Sequence, residues 1–212
     1  MDIVTFIKSF PLRVFQKHEL LLHPDEAYDQ VLIVREGFVK VTSTDTDGVE
    51  RLLWIAGRYD IVPSEGVLNL SAITQYTYTA HSAGSAYVVP KADLLQLARE
   101  DAGVMAQIAQ ALGEHYDELL ARINSLQQSG LRRRIVLMLD TLAQKFSVAE
   151  VVHLHELGLN ISHQDIADMV HGSREAVSIE LGALREQGIV DYSRSTFTIH
   201  TIELQKEIQT PV

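Results

Sequence analysis

The 212-residue chain contains no cysteine. That absence excludes disulfides, iron–sulfur clusters held by thiolates and a cysteine nucleophile, and it fits a reducing cytoplasm. Long apolar runs are also missing: no window approaches the roughly 18 uninterrupted apolar residues of a membrane helix. The opening stretch Met1–Lys8 has one lysine and no apolar core of the kind a secretory leader needs. A soluble cytoplasmic protein is expected. Positive charge is scarce too, with 18 Lys and Arg against 28 Asp and Glu and a net charge of −10. Residues 1–128 hold 10 against 17, or −7, and residues 129–212 hold 8 against 11, or −3. DNA-binding domains are ordinarily basic, so any contact with DNA must come from a local basic patch. No Ser/His/Asp constellation, P-loop or carboxylate pair is visible, and no enzymatic activity is expected.

What the chain does have is 46% hydrophobic residues, enough for a substantial core. Its first hundred residues read as short strands. Val31–Val34 is an apolar, branched run; Arg35-Glu36-Gly37 interrupts it and Phe38–Thr42 resumes, the pattern of a hairpin. Asp45–Gly48 is a second turn signal, with Asp-Gly at its end, and Arg51–Ile55 follows as a strand. Tyr76–His81 alternates with period two, and Ala86–Pro90 is the last strand. Closely spaced short strands predict a sandwich, roll or barrel.

Helical periodicity begins near Lys91, with a short helix over 91–98 and a long one over 102–128. In the long helix Met105, Ile108, Leu112, Tyr116, Leu119, Ile123 and Leu126 recur at spacings of three and four, a heptad seam kept for three repeats. Such a helix, about 40 Å long, exceeds what a small β domain can cover. Its seam is expected to pair two protomers into a homodimer. Ser129-Gly130 interrupts the pattern and is expected to act as a hinge, and another helix runs from Leu131 to about Lys145. The expected organisation is a β-rich domain (1–101), a long helix (102–128) and a C-terminal domain (129–212).

Residues 161–192, with the strand that follows them, are the most informative. Ser162, with Asp165 three residues on, makes a capping box for a short amphipathic helix through Val170. His171-Gly172-Ser173 is a tight turn with a new capping serine. A second helix runs from Arg174 and ends at Gly188. Ile189–Tyr192, Ser193-Arg194-Ser195 and Thr196–His200 are strand, turn and strand. Helix, glycine turn, helix, hairpin is the layout of a winged helix-turn-helix. Ile166, Val170, Val177, Leu181 and Leu184 are spaced to fill its core, and the small Ala167 lets the two helices cross closely. Arg174, Glu175 and Ser178 share the outward face near the start of the second helix, where base edges are read. Arginine can pair bidentately with guanine, and glutamate can accept from cytosine N4. Ser162, Gln164 and Ser173 sit at the helix starts, where phosphate contacts lie.

The stretch from Ile161 to Ser178 resembles the DNA-binding signature of the Crp/Fnr superfamily of transcription regulators, and Val34–Val41 is similar to its β-roll strand pair. The order of modules covers essentially the whole chain. The resemblance implies an α+β fold: an N-terminal β-roll (double-stranded β-helix) as sensor, a long dimerisation helix and a C-terminal winged helix-turn-helix. It further implies a homodimer on a pseudo-palindromic operator in double-stranded DNA, with RNA polymerase as partner. An input in the β-roll, or none, would rotate the winged domains about Ser129-Gly130.

The departures from that family are specific. Its cyclic-nucleotide-binding members carry a Gly-Glu pair and, about ten residues on, an Arg-Ser pair that holds the cyclic phosphate. Here the region reads Ile61–Val67 and then Thr74-Gln75-Tyr76, without the arginine. A buried phosphate lacking a cationic partner is expensive, so no cyclic nucleotide is expected in the usual mode. Iron–sulfur sensing needs cysteines. Nine histidines leave haem open, and no resident cofactor is predicted. Many members carry a second arginine five residues after the position of Arg174; here it is Ile179, which either touches a thymine methyl or packs.

Two further features carry alternatives. His153 and His155 fall on one face of an expected strand, but two ligands do not make a closed zinc site, so no metal is predicted. Arg132-Arg133-Arg134 opens a helix and is either solvated surface or a phosphate contact. The rival function is a small-molecule-binding β-roll protein whose winged helix mediates protein–protein interaction, which the acidic charge favours. A third is a constitutive regulator with an empty sensory domain.

Overall fold

The computed structural model describes residues 3–65, 67–68, 73–151 and 153–210, with backbone alone at 149–151. The chain divides into two compact units, residues 1–116 and 117–212.

The first unit holds α1 (Ile3–Ile7), β1 (Leu12–Phe15), β2 (Leu20–Leu22), β3 (Gln30–Glu36), β4 (Val39–Thr44), β5 (Glu50–Ala56), β6 (Ile61–Val62), β7 (Thr77–Ala80), β8 (Gly84–Pro90) and α2 (Lys91–Glu100). Two antiparallel four-stranded sheets form, in the orders β1-β8-β3-β6 and β2-β7-β4-β5. The apolar run in β3 is explained by burial on both faces. Leu32 and Val34 enter the core between the sheets with Val39, Val41, Tyr78 and Ala86. Val31 and Ile33, alternating with them, enter a second core with Ile7, Tyr87, Val89 and Leu94. Period-two alternation therefore divides one strand between two cores.

The expected hairpin of Val31–Val34 with Phe38–Thr42 does not form. β3 pairs with β8 and β6, whereas β4 pairs with β5 and β7. Gly37, at φ +82, carries the chain from one sheet to the other. A Cβ there would stand 2.6 Å from the Ala83 carbonyl oxygen, so only glycine fits this crossing. The Asp45–Gly48 turn does join β4 to β5, with the Asp45 carboxylate accepting from the Asp47 and Val49 backbone N–H groups.

α3 (Ala102–Leu126) is the long helix. Its expected seam needs correction. Ile108 is 0% exposed, and it lies with Val104 in the second core of the first unit, where Met105 and Leu112 also pack. A side chain consumed by its own domain cannot pair with a partner. Tyr116 and Ile123, also of that seam, are 61% and 53% exposed; Leu119 and Leu126 are half-buried. The exposed row along the helix runs Ala106, Ala109, Gly113, Tyr116, Leu120, Ile123, again at spacings of three and four.

The second unit continues through α4 (Leu131–Phe146), β9 (Ser147–Val151), β10 (Leu154–Leu157), α5 (His163–Val170), α6 (Arg174–Glu186), β11 (Val190–Ser193), β12 (Thr196–His200) and α7 (Thr201–Gln209). Its sheet has the order β11-β12-β10-β9, so the wing hairpin continues a larger sheet. Ile166, Val170, Val177, Leu181 and Leu184 are all buried, as their spacing predicts, and so is Ala167. The arginine run is half-buried, and each of its members bonds to its own unit. Arg132 bonds the Glu207 carboxylate at 2.6 Å and also Gln187, and Arg133 donates to the Glu207 carbonyl. Arg134 donates to the carbonyls of Val170 and Gln128.

Candidate nucleic-acid interface

The helix–turn–helix is held at each junction by a local rule. The Ser162 hydroxyl accepts from Asp165 N–H at 3.1 Å while the Asp165 carboxylate accepts from Ser162 N–H at 2.9 Å, the reciprocal capping box. α5 ends on His171 in the left-handed region. Gly172 then passes so close to α4 that a Cβ would lie 2.8 Å from Leu131 Cδ1 and 3.3 Å from Val177 Cγ2. Ser173 caps α6 by accepting from Ala176 N–H.

Against this frame lies an open cleft of about 770 Å³, lined by Ser162, His163 and Gln164 at the start of α5 and by Arg174 and Arg185 of α6. The wing closes its other side with Tyr192 and the turn residues Ser193, Arg194 and Ser195. Three guanidiniums and no carboxylate line it. This is the local basic patch that an acidic domain needs in order to approach a phosphate backbone. Arg185 is ion-paired with Asp191 at 2.8 Å and lies over the Tyr192 ring.

Of the residues expected from sequence, Ser162, Gln164 and Arg174 come together on this cleft. Ser173 serves as a cap, and Glu175 is exposed on the outer face of α6. Ser178 is half-buried and connects to the cleft through His163, whose Nδ1 stands 2.9 Å from Ser178 Oγ. Ile179 is 72% exposed, so it does not pack. His163, Arg185 and Arg194 were not singled out from sequence. Arg194 occupies the wing turn that was recognised, at φ 58, and the turn itself was the available signal. Burial, and secondarily the Arg174 charge, hold the His163 imidazole below its ordinary value of 6.5. The ring sits edge-on to Tyr192 with centroids 5.0 Å apart.

The expected hinge lies between α3 and α4. Gly130 has φ −97, and an added Cβ there would meet nothing within 4 Å. Across this corner Ser125 Oγ donates to the Arg134 carbonyl, and Arg134 Nη1 donates to Gln128. His153 is at positive φ before β10 begins, so it does not share a strand face with His155. Among the described residues no group of three or more His, Asp or Glu converges as a metal site.

In the first unit, the Glu65 carboxylate is met by the Tyr78 hydroxyl at 2.6 and 2.7 Å and by the Thr74 hydroxyl at 2.5 Å. The Tyr28 hydroxyl donates to the Glu65 carbonyl. Desolvation, then the Glu65 charge, pushes the Tyr28 phenol up to about 12 and the Tyr78 phenol higher still. Glu65 belongs to the stretch that corresponds to the cyclic-nucleotide region; Gly66 and residues 69–72 of that stretch lie outside the described residues. An anionic side chain held by neutral hydroxyls is a poor cradle for a phosphate.

Comparison with known proteins agrees with both units. Residues 12–101 match the family model for a cyclic nucleotide-binding domain, and residues 133–204 match that for a Crp-like helix-turn-helix domain. A β-rich sensor-type domain joined to a helix-turn-helix defines a transcription regulator that binds DNA. The chain belongs to the Crp/Fnr superfamily. It is similar to the anaerobic regulatory protein of Bacillus subtilis, at 22% identity over 86% of this chain and 76% of that one. It is also similar to the cyclic AMP receptor protein of Thermus thermophilus, at 26% identity over 95% of this chain and 89% of that one. Its fold matches that of FixK2 from Bradyrhizobium japonicum with a TM-score of 0.80 and 18% identity, over 96% of this chain and 98% of that one. This superfamily regulates transcription rather than catalysing a reaction. No helix among the described residues is long and apolar enough to cross a membrane.

Proposed function

We propose that this regulator acts as a cytoplasmic, non-enzymatic homodimer that reads a pseudo-palindromic operator. α6 enters the major groove with Arg174, Glu175, Ser178 and Ile179 at base edges. Ser162, Gln164 and Ser173, joined by Arg194 of the wing, hold phosphates. The observation that carries this reading is the arginine-lined cleft beside the exposed face of α6, in a unit whose overall charge is negative. The protomers pair through the exposed row of α3 from Ala106 to Ile123. Small residues at one end allow close approach and large ones at the other supply buried area. RNA polymerase is the partner on the promoter, and Ser129-Gly130 is the corner at which α4 and the elements after it turn from α3.

The first unit takes no cyclic nucleotide through a phosphate clamp and holds no resident cofactor. The hydroxyl cage around Glu65 and the absence of arginine at Thr74-Gln75-Tyr76 support this. Micromolar cyclic AMP binding by titration calorimetry would overturn it, as would a Soret band after haem addition for the cofactor statement.

The test of function is selection from a randomised duplex library at moderate salt. A two-fold symmetric site is expected, with affinity falling as salt rises because phosphate contact releases counterions. Failure to enrich any site, together with salt-insensitive capture of a protein partner, would instead make the winged helix a protein-interaction module.

A further inference from the structure

What Ser178 reads rests on α6 being the base-reading helix. A serine hydroxyl ordinarily serves any base, because it can donate its one proton or accept on its lone pairs. In this protein its options are fixed. Ser178 Oγ lies 2.8 Å from the Arg174 carbonyl oxygen, which can only accept, so the hydroxyl proton goes there. Ser178 Oγ is also 2.9 Å from His163 Nδ1. We assign the hydrogen to Nδ1, the tautomer in which both contacts of Ser178 Oγ are satisfied as hydrogen bonds, so the imidazole nitrogen is the donor. One lone pair of Ser178 is thereby occupied, and the hydroxyl is left with one lone pair and no proton for an outside partner.

His163 is itself held in orientation. Its ring stands edge-on to Tyr192 of β11, at 5.0 Å and 79°, and inclined to Phe197 of β12, at 6.1 Å. Tyr192 and Phe197 stack on each other at 5.1 Å. The Arg174 charge acts on the ring from α6, and Arg185, ion-paired with Asp191, and Arg194 line the same cleft. None of these cations can accept a proton from Nδ1, so Ser178 is its acceptor. The wing therefore fixes the ring, and the ring fixes the serine.

We propose that His163 is a specificity-determining positioning residue that locks Ser178 as a hydrogen-bond acceptor, so that the base facing Ser178 carries an exocyclic amine: adenine N6 or cytosine N4. Thymine O4 and guanine O6, both acceptors, are disfavoured because neither they nor Ser178 bring a proton. The discrimination is about fivefold, the size of one net hydrogen bond.

The test is library selection with the full-length protein and three variants. Ser178→Ala identifies the base pair that depends on Ser178. His163→Phe keeps a ring against Tyr192 and Phe197 but removes the donor. His163→Asn replaces Nδ1–H with an amide N–H at the same distance from the backbone. The expected result is an amine-bearing base at the Ser178-dependent position, a preference lost at that position alone in His163→Phe, and its return in His163→Asn. The inference is overturned, with the operator reading intact, by a symmetric wild-type site carrying thymine or guanine there. It is equally overturned if His163→Phe keeps the wild-type preference or loses affinity uniformly across sequences. A wild-type protein that selects no symmetric site removes both the inference and the reading beneath it.

Discussion

Arg134 Nε donates to the Val170 carbonyl oxygen at 2.8 Å, placing a guanidinium on the C-terminal end of α5, where the helix dipole is negative. The same side chain reaches the Gln128 carbonyl, two residues past the end of α3. Replacing it with methionine keeps the stem and deletes both charged hydrogen bonds. The expected cost is about 2 kcal/mol in the stability of the 117–212 unit, read by urea unfolding. An unchanged midpoint would show that the corner is not held by Arg134.

The turn between α5 and α6 makes a second case. Because a Cβ at Gly172 would meet Leu131 Cδ1 at 2.8 Å, Gly172→Ala is expected to cost about 1 kcal/mol. The contact atom ends a flexible side chain, so the cost should shrink when Leu131 is shortened to alanine. A double-mutant cycle on thermal stability measures that coupling; strict additivity would mean that the two positions do not meet.

Residues on α3 separate core from surface. Ile108→Ala is expected to destabilise the first unit by about 3 kcal/mol, through lost burial and a cavity. Leu120→Glu, at a position 44% exposed, should leave folding intact and yield monomers in sedimentation velocity. Dimers that persist with Leu120→Glu would remove the α3 row as the pairing surface.

The imidazole of His163 gives a pH signature. Its folded value is lowered, so the unfolded chain takes up a proton first as pH falls. Stability of the 117–212 unit should therefore be full above 6.5 and decline as pH drops below it. In His163→Phe that portion of the decline should vanish. A pH profile of unfolding identical in the two proteins would contradict the shift.

Ile179 tests the outer face of α6. Being 72% exposed, it can lose its side chain without loss of stability. Ile179→Ala is expected to weaken binding about fourfold at operators with thymine at the facing step, the value of roughly one buried methyl or methylene group. Equal weakening when that thymine is replaced by uracil, which lacks the methyl, would exclude a methyl contact.

How much of this was legible in the sequence follows the range of the interactions. The capping box at Ser162 and Asp165, the Asp45–Gly48 turn and the core spacing of α5 and α6 are local, and each was legible. The partner of β3 was not: a strand buried on both faces loses its alternating pattern and gives no hint that residues near position 88 lie beside it. Arg132, Arg133 and Arg134 could not be assigned, because their partners lie at residues 128, 170, 187 and 207. On α3 one helix carries two apolar faces. The larger residues drew the seam to Ile108, which is core, while the exposed row is marked partly by Ala106, Ala109 and Gly113, too small to register as hydrophobic signal. At the interface, the signals found were helix starts. His163 was passed over because its significance depends on Tyr192 and Phe197, which only the folded wing brings near.

The inward use of the three consecutive arginines has an effect on how such a protein finds its target. With those charges committed to Glu207, Gln187, Val170 and Gln128, the pull on arbitrary DNA comes from the few cations around the cleft, in a molecule of net charge −10. Loose, sequence-blind association scales with the number of phosphates neutralised. Weak hold on arbitrary duplex is accordingly expected, with a shallow salt dependence as the measurement that checks it.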